Sequence, residues 1–116
     1  MKLRKADSVF SKVIKKKRGY KCERCGAIHD EKSRGLHLAH FHGRRKESTR
    51  FDEENVDILC YGCHSYFHQN PDEHKAWKKL KLGKKKFDLL TIRANTPQKK
   101  DDKLVIMIYK KELDEN

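Results

Sequence analysis

Residues 37–68 read HLAHFHGRRKESTRFDEENVDILCYGCHSYFH, and this stretch decides the fold. It carries five of the chain's seven histidines, two of its four cysteines, three arginines and a single asparagine, Asn55. Leu36-His37-Leu38-Ala39-His40-Phe41 and Asn55-Val56-Asp57-Ile58-Leu59-Cys60 each alternate apolar and polar positions, the period of a half-buried strand. Gly43 and the basic, polar residues after it make the connecting loop. Tyr61 to Gln69 is expected to be helical, which puts His64 and His68 four positions apart on one face. The order strand, loop, strand, helix thus positions those two imidazoles to share a metal ion.

Just outside the stretch, Cys22 and Cys25 form a C-x-x-C pair followed by Gly26, and Cys60 and Cys63 repeat the spacing. Such a knuckle lets two thiolates converge on one ion while the glycine permits the tight turn. Two knuckles together make a four-thiolate site that clamps the histidine-rich segment at entry and exit, and structural zinc is the expected occupant. Dithiol redox chemistry would need a βαβ setting that the chain lacks. A mixed site joining His64 and His68 to Cys22 and Cys25 would strand Cys60 and Cys63.

Further out, Val9, Phe10, Val13 and Ile14 recur at helical spacing, predicting a short amphipathic helix over Asp7 to Arg18 capped by Ser8 or Asp7 and ended by Gly19. Its basic last turn, Lys15 to Arg18, is either a solvated face or a phosphate contact. Asn70-Pro71-Asp72-Glu73 starts another helix, expected to turn Trp77 and Leu80 inward and Lys75, Lys78, Lys79 and Lys81 outward before Gly83. Phe87, Leu90 and Ala94 suggest a third, closed by Asn95-Thr96-Pro97. From Asp101 to Glu112 the spacing of Leu104, Val105, Ile108 and Tyr109 favours a helix, although Leu-Val-Ile-Met-Ile-Tyr reads equally as a strand.

The 116 residues are read as one α+β domain stapled by zinc: a basic N-terminal helix in 1–21, a zinc-framed core in 22–69 and C-terminal helices in 70–116. Only 35% of residues are hydrophobic and 40% are charged, a thin supply for a core, so a metal staple is expected to supplement burial. The net charge of +12 draws in polyanions, and nucleic acid is the default partner, with a merely solvated surface as the other reading. No apolar run has the length of a signal-peptide core or a membrane span, so a cytoplasmic protein without a membrane partner is expected.

His40, Asn55 and His64 inside the Cys22/Cys25 and Cys60/Cys63 frame resemble the HNH endonucleases, whose core is a ββα-metal fold. The likeness is to the small zinc-framed members encoded by phages and prophages. It extends over His40-Phe-His-Gly-Arg-Arg, Thr49-Arg-Phe-Asp and Leu59-Cys-Tyr-Gly-Cys-His. By that resemblance His40 is the general base, Asn55 fastens the loop that orients it, and His64 and His68 hold a catalytic Mn²⁺, Mg²⁺ or other divalent transition ion. The implied activity is DNA cleavage of low sequence specificity, nicking or cutting both strands to leave a 5′ phosphate and a 3′ hydroxyl. Arg44, Arg45 and Arg50 would clamp the DNA backbone. The likeness also implies a monomer or weak dimer in the host cytoplasm, working with phage packaging or recombination proteins. One position departs from the pattern: the family places a ligating Asp or His before the base, and this chain has Ala39, which leaves His42 or His37 as substitutes. The alternative function is a zinc-containing DNA- or RNA-binding module without catalysis.

Overall fold

The alternating runs form the sheet. In the computed structural model, which describes residues 3–114, β1 (Leu36–His40) and β2 (Val56–Cys60) pair antiparallel. Leu36 lies opposite Cys60, His37 opposite Leu59, Ala39 opposite Asp57 and His40 opposite Val56. Side chains alternate across a strand, so His37, Ala39, Asp57 and Leu59 share one face, while Leu36, Leu38, His40, Val56 and Ile58 share the other. The chain is a small α+β structure, with six helices and this two-stranded sheet among the described residues.

Helix α1 (Lys5–Lys17) buries Ala6, Phe10, Val13 and Ile14, the stripe its spacing predicts. It starts earlier than its sequence suggests. Arg4 holds the cap position and its N–H donates to Asp7 Oδ2 at 2.7 Å, so Asp7 works from the third helical position rather than as the cap. The loop between the strands is ordered by a short helix, α2 (Glu47–Arg50), and a 3-10 turn over Glu53–Asn55. Helix α3 (Tyr61–Gln69) leaves β2 without a linker and carries Cys63 and Phe67 inward. Helices α4 (Pro71–Leu82) and α5 (Lys84–Ala94) follow, separated by Gly83 at φ 83°. Phe87, Leu90 and Ala94 of α5 are buried as their spacing implies.

Two helices differ from expectation. In α4 the lysine goes in and the leucine goes out: Lys78 is 1% exposed and Leu80 86% exposed. The cause is Asp57, buried on β2 within reach of the α4 lysines. Lys78 Nζ donates to Asp57 Oδ2 at 2.7 Å, and two residues on, roughly 200° around the helix, Leu80 faces solvent. Lys81, expected outside, also pairs with Asp57 and with Glu23. The C-terminal segment is helical, α6 (Asp102–Asp114), packed on α1 with the Tyr109 ring edge-on to Phe10 at 4.9 Å. Its inward set is Val105, Ile106 and Tyr109, while Leu104 and Ile108 stay half exposed. Residues 104–108 are apolar all the way round, so spacing alone could not choose the stripe that meets α1. No helix among the described residues is long and apolar enough to cross a membrane.

Candidate functional site

The first knuckle is shaped by its own backbone. Cys22 N–H donates to Ala27 O at 2.9 Å, Gly26 N–H donates to Cys22 O at 3.0 Å, and Gly26 adopts φ 82°, a region a side chain would strain. The second knuckle is the start of α3, where Cys60 caps the helix and its sulfur accepts from Cys63 N–H at 3.4 Å. Glu23 joins the two: its N–H donates to Ile58 O at 2.7 Å, and its carboxylate accepts from Ile58 N–H and from Arg18. The four sulfurs consequently lie within 4.8 Å of one another, with Cys25 and Cys60 Sγ 3.8 Å apart. Thiolates about 2.3 Å from a tetrahedral zinc stand roughly 3.8 Å apart, so the donor set fits, and the cluster could bind a structural metal such as zinc. Burial works to raise the Cys22 thiol, but N–H donors from Cys25, Cys60 and Arg24 outweigh it and bring it down to about 6. Burial pushes the Cys63 thiol up to about 12 against a hydrogen bond from Arg24.

Helix α3 carries a second cluster one residue further on. His64 turns toward β1, and its Nδ1 meets Nδ1 of His37 at 2.9 Å, with the two rings at 79°. Tyr61 packs edge-on to His37 at 5.9 Å. His37, Tyr61, His64, Ser65 and His68 line an open cleft of about 230 Å³. Burial, with the neighbouring His37, His68 and Arg44, holds the His64 imidazole below its ordinary pKa. His64 and His68 therefore share a cleft, and the residue that joins them from the sheet is His37.

His40 is elsewhere. It ends β1 on the α1 face and does not line that cleft, because an odd step along a strand reverses the side chain. Its Nε2 lies 2.9 Å from Arg50 O, which fixes that nitrogen as the N–H donor and leaves the lone pair on Nδ1. Nδ1 is buried without a protein partner. Burial pushes the ring down to about 4 and Arg44 and Arg50 add to this, although the Arg50 carbonyl and Asp7 oppose it. Asn55, fully buried, ties the loop on which that carbonyl sits: Oδ1 accepts from His42 N–H at 2.8 Å, and Nδ2 donates to His42 O at 2.9 Å and Thr49 O at 3.0 Å.

The three arginines separate. Arg50, expected on the DNA backbone, is 3% exposed and spends its guanidinium inside the protein. Its Nε and Nη2 donate to Asp7 at 2.9 and 2.6 Å, since a buried guanidinium requires a carboxylate. Burial would raise the Asp7 carboxyl, but Arg50 holds it below the usual range. The pair anchors α2 to α1 and so fixes the carbonyl that orients His40. Arg44 is half-buried, 3.9 Å from Asp7, and its charge reaches both His40 and His64. Arg45 is exposed, beside Lys46 and Lys99.

Neither proposed substitute for position 39 is equivalent to the other. Ala39 is buried in the sheet. The His42 backbone is held by Asn55, its ring packs on Phe41 at 5.0 Å, and it stays out of the cleft. Reasoning from sequence missed the weight of His37 and of the Asp57–Lys78 pair; a carboxylate at an inward position of β2 was the available signal for the latter. No family model, no curated protein and no solved structure matches this chain. Fold and site define a small α+β protein with a four-cysteine cluster suited to a metal and, on the same helix, a histidine-lined cleft.

Proposed function

We propose that the protein is a metal-dependent endonuclease that hydrolyses DNA phosphodiester bonds with low sequence preference, built on a ββα-metal core of the HNH kind. The observation that carries the reading is His40: a neutral imidazole with its tautomer fixed and an unpaired lone pair on Nδ1. Such a ring is able to accept a proton from an attacking water once Nδ1, buried here, is opened to it, and Asn55 keeps the Arg50 carbonyl in place. A pKa of about 4 keeps it deprotonated at neutral pH but makes it a weak base. A phosphate anion beside the ring favours the imidazolium and moves the value toward neutrality, where proton transfer is most effective. Arg44, whose charge reaches His40 and His64 alike, favours a phosphate near either group.

A Mn²⁺, Mg²⁺ or other divalent ion at His64 and His68 would supply Lewis-acid stabilisation of the leaving 3′ oxygen. The net charge of +12 and the exposed lysines of α4 and α5 favour the polyanion. The test is nicking of supercoiled plasmid by the zinc-loaded protein with added Mn²⁺. Cleavage falls about 10²–10⁴-fold in His40→Ala, the loss typical of a missing general base. Equal nicking by wild type and variant would sink the assignment.

One observation favours a second reading. His40 does not open into the cleft with His64 and His68, as suits a zinc-containing DNA- or RNA-binding module without chemistry. That module predicts salt-sensitive binding and no cleavage product with any divalent ion.

A further inference from the structure

The strand position where HNH proteins keep a ligand is closed in this chain. Ala39 has no donor, is buried, and faces Asp57, whose carboxylate is taken by Lys78 and Lys81. Two residues earlier, about 6.6 Å along the strand and on the same face, His37 reaches the helix instead. We propose that His37 is a metal ligand that pairs with His64 on a divalent transition ion, with His68 turning in from the same cleft as the third imidazole.

The spacing argues for it. Two nitrogens bound at about 2.05 Å to one ion stand roughly 2.9 Å apart at a right angle and 3.3 Å apart at the tetrahedral angle. Nδ1 of His37 and Nδ1 of His64 are 2.9 Å apart. The contact is within hydrogen-bond distance, with one ring donating its N–H to the other, so both Nδ1 atoms already face the same small space. His68 lines the same cleft one helical turn beyond His64, and the open side leaves room for water or a phosphate oxygen. Tyr61, edge-on to His37, limits where that ring can turn. Three neutral nitrogen donors select late transition ions over Mg²⁺, which prefers oxygen ligands.

The proposal rests on the nuclease reading for what the ion does, and not for whether it binds. The test is calorimetric titration of Ni²⁺ into the full chain with its cysteine cluster already loaded with zinc. One further Ni²⁺ per chain is expected, bound at least tenfold more weakly by His37→Ala and by His64→Ala and unchanged in His40→Ala. His37→Phe keeps a ring against Tyr61 and loses the donor, so it carries the test if the alanine variant folds poorly. Equal Ni²⁺ affinity in His37→Phe and wild type, or no second ion in the wild type, overturns the site. Binding that needs His37, without plasmid cleavage in Ni²⁺, Co²⁺ or Mn²⁺, upholds the ligand and sinks the nuclease reading instead.

Discussion

Helix α3 serves two clusters of opposite character. Cys63 points into the core and belongs to a group of four sulfurs, of which Cys22 and Cys60 accept from backbone N–H groups and Cys63 from Arg24. His64, the next residue, points to an open cleft whose histidines are only partly paired. Four thiols would fill a tetrahedral ion's positions, whereas the proposed imidazole site would leave some open. A closed site stabilises structure and an open one is free to take a ligand, so through one helix the geometry of the second cluster rests on the first.

That dependence can be broken first at the cysteines. Removing the metal with a strong chelator, or making Cys60→Ser, is expected to abolish cooperative unfolding. A structural zinc site contributes on the order of 10 kcal/mol, more than a small charged domain can spare. Circular dichroism melts of treated and untreated protein read this directly, and an unchanged melt would show that the cluster is not structural. Next is the pair beneath the sheet. Asp57→Ala strands the buried Lys78 charge and is expected to cost about 3–5 kcal/mol in urea unfolding. Lys78→Met should cost much less, because Lys81 still reaches Asp57.

The histidines predict an intermediate effect that depends on pH. His40 titrates near an ordinary 6.5 when unfolded but at about 4 when folded, so the unfolded chain binds the proton more readily. The stability it contributes is complete above 6.5 and is lost as pH falls toward 4. Burial lowers His42, His64 and His74 as well, which adds the same sign. Urea midpoints measured across this window should decline, and more shallowly in His40→Gln; an identical slope would remove His40 as a cause. The smallest expected change is at the cleft. His68→Ala, on an exposed face of α3, should shift stability by no more than about 0.5 kcal/mol while weakening the proposed binding of a second ion. A large loss of stability would mean that the cleft is structural after all.

Much of this arrangement is legible in the residues themselves. The strands around His37 and Ile58, the helix carrying His64 and His68, and the convergence of the cysteine pairs follow from periodicity and from thiolate chemistry at fixed spacing. Arg50 was not legible, since a loop arginine reads as a phosphate contact until Asp7 is known to lie within 2.6 Å of it. Lys78 and Leu80 exchanged roles for a similar reason: helical periodicity gives the faces of α4 but not the partner buried opposite. Motif order favours His40 over His37 but carries no information about which side of the strand meets α3.

By itself the sequence determined most of the local elements and a set of thiols suited to a metal, because both depend on residue type and short-range spacing. The tertiary structure alone decided which imidazole from β1 meets α3, and which of the buried charges find partners. Those outcomes depend on how the faces of strands and helices pack against one another, and contacts between residues distant along the chain set that packing.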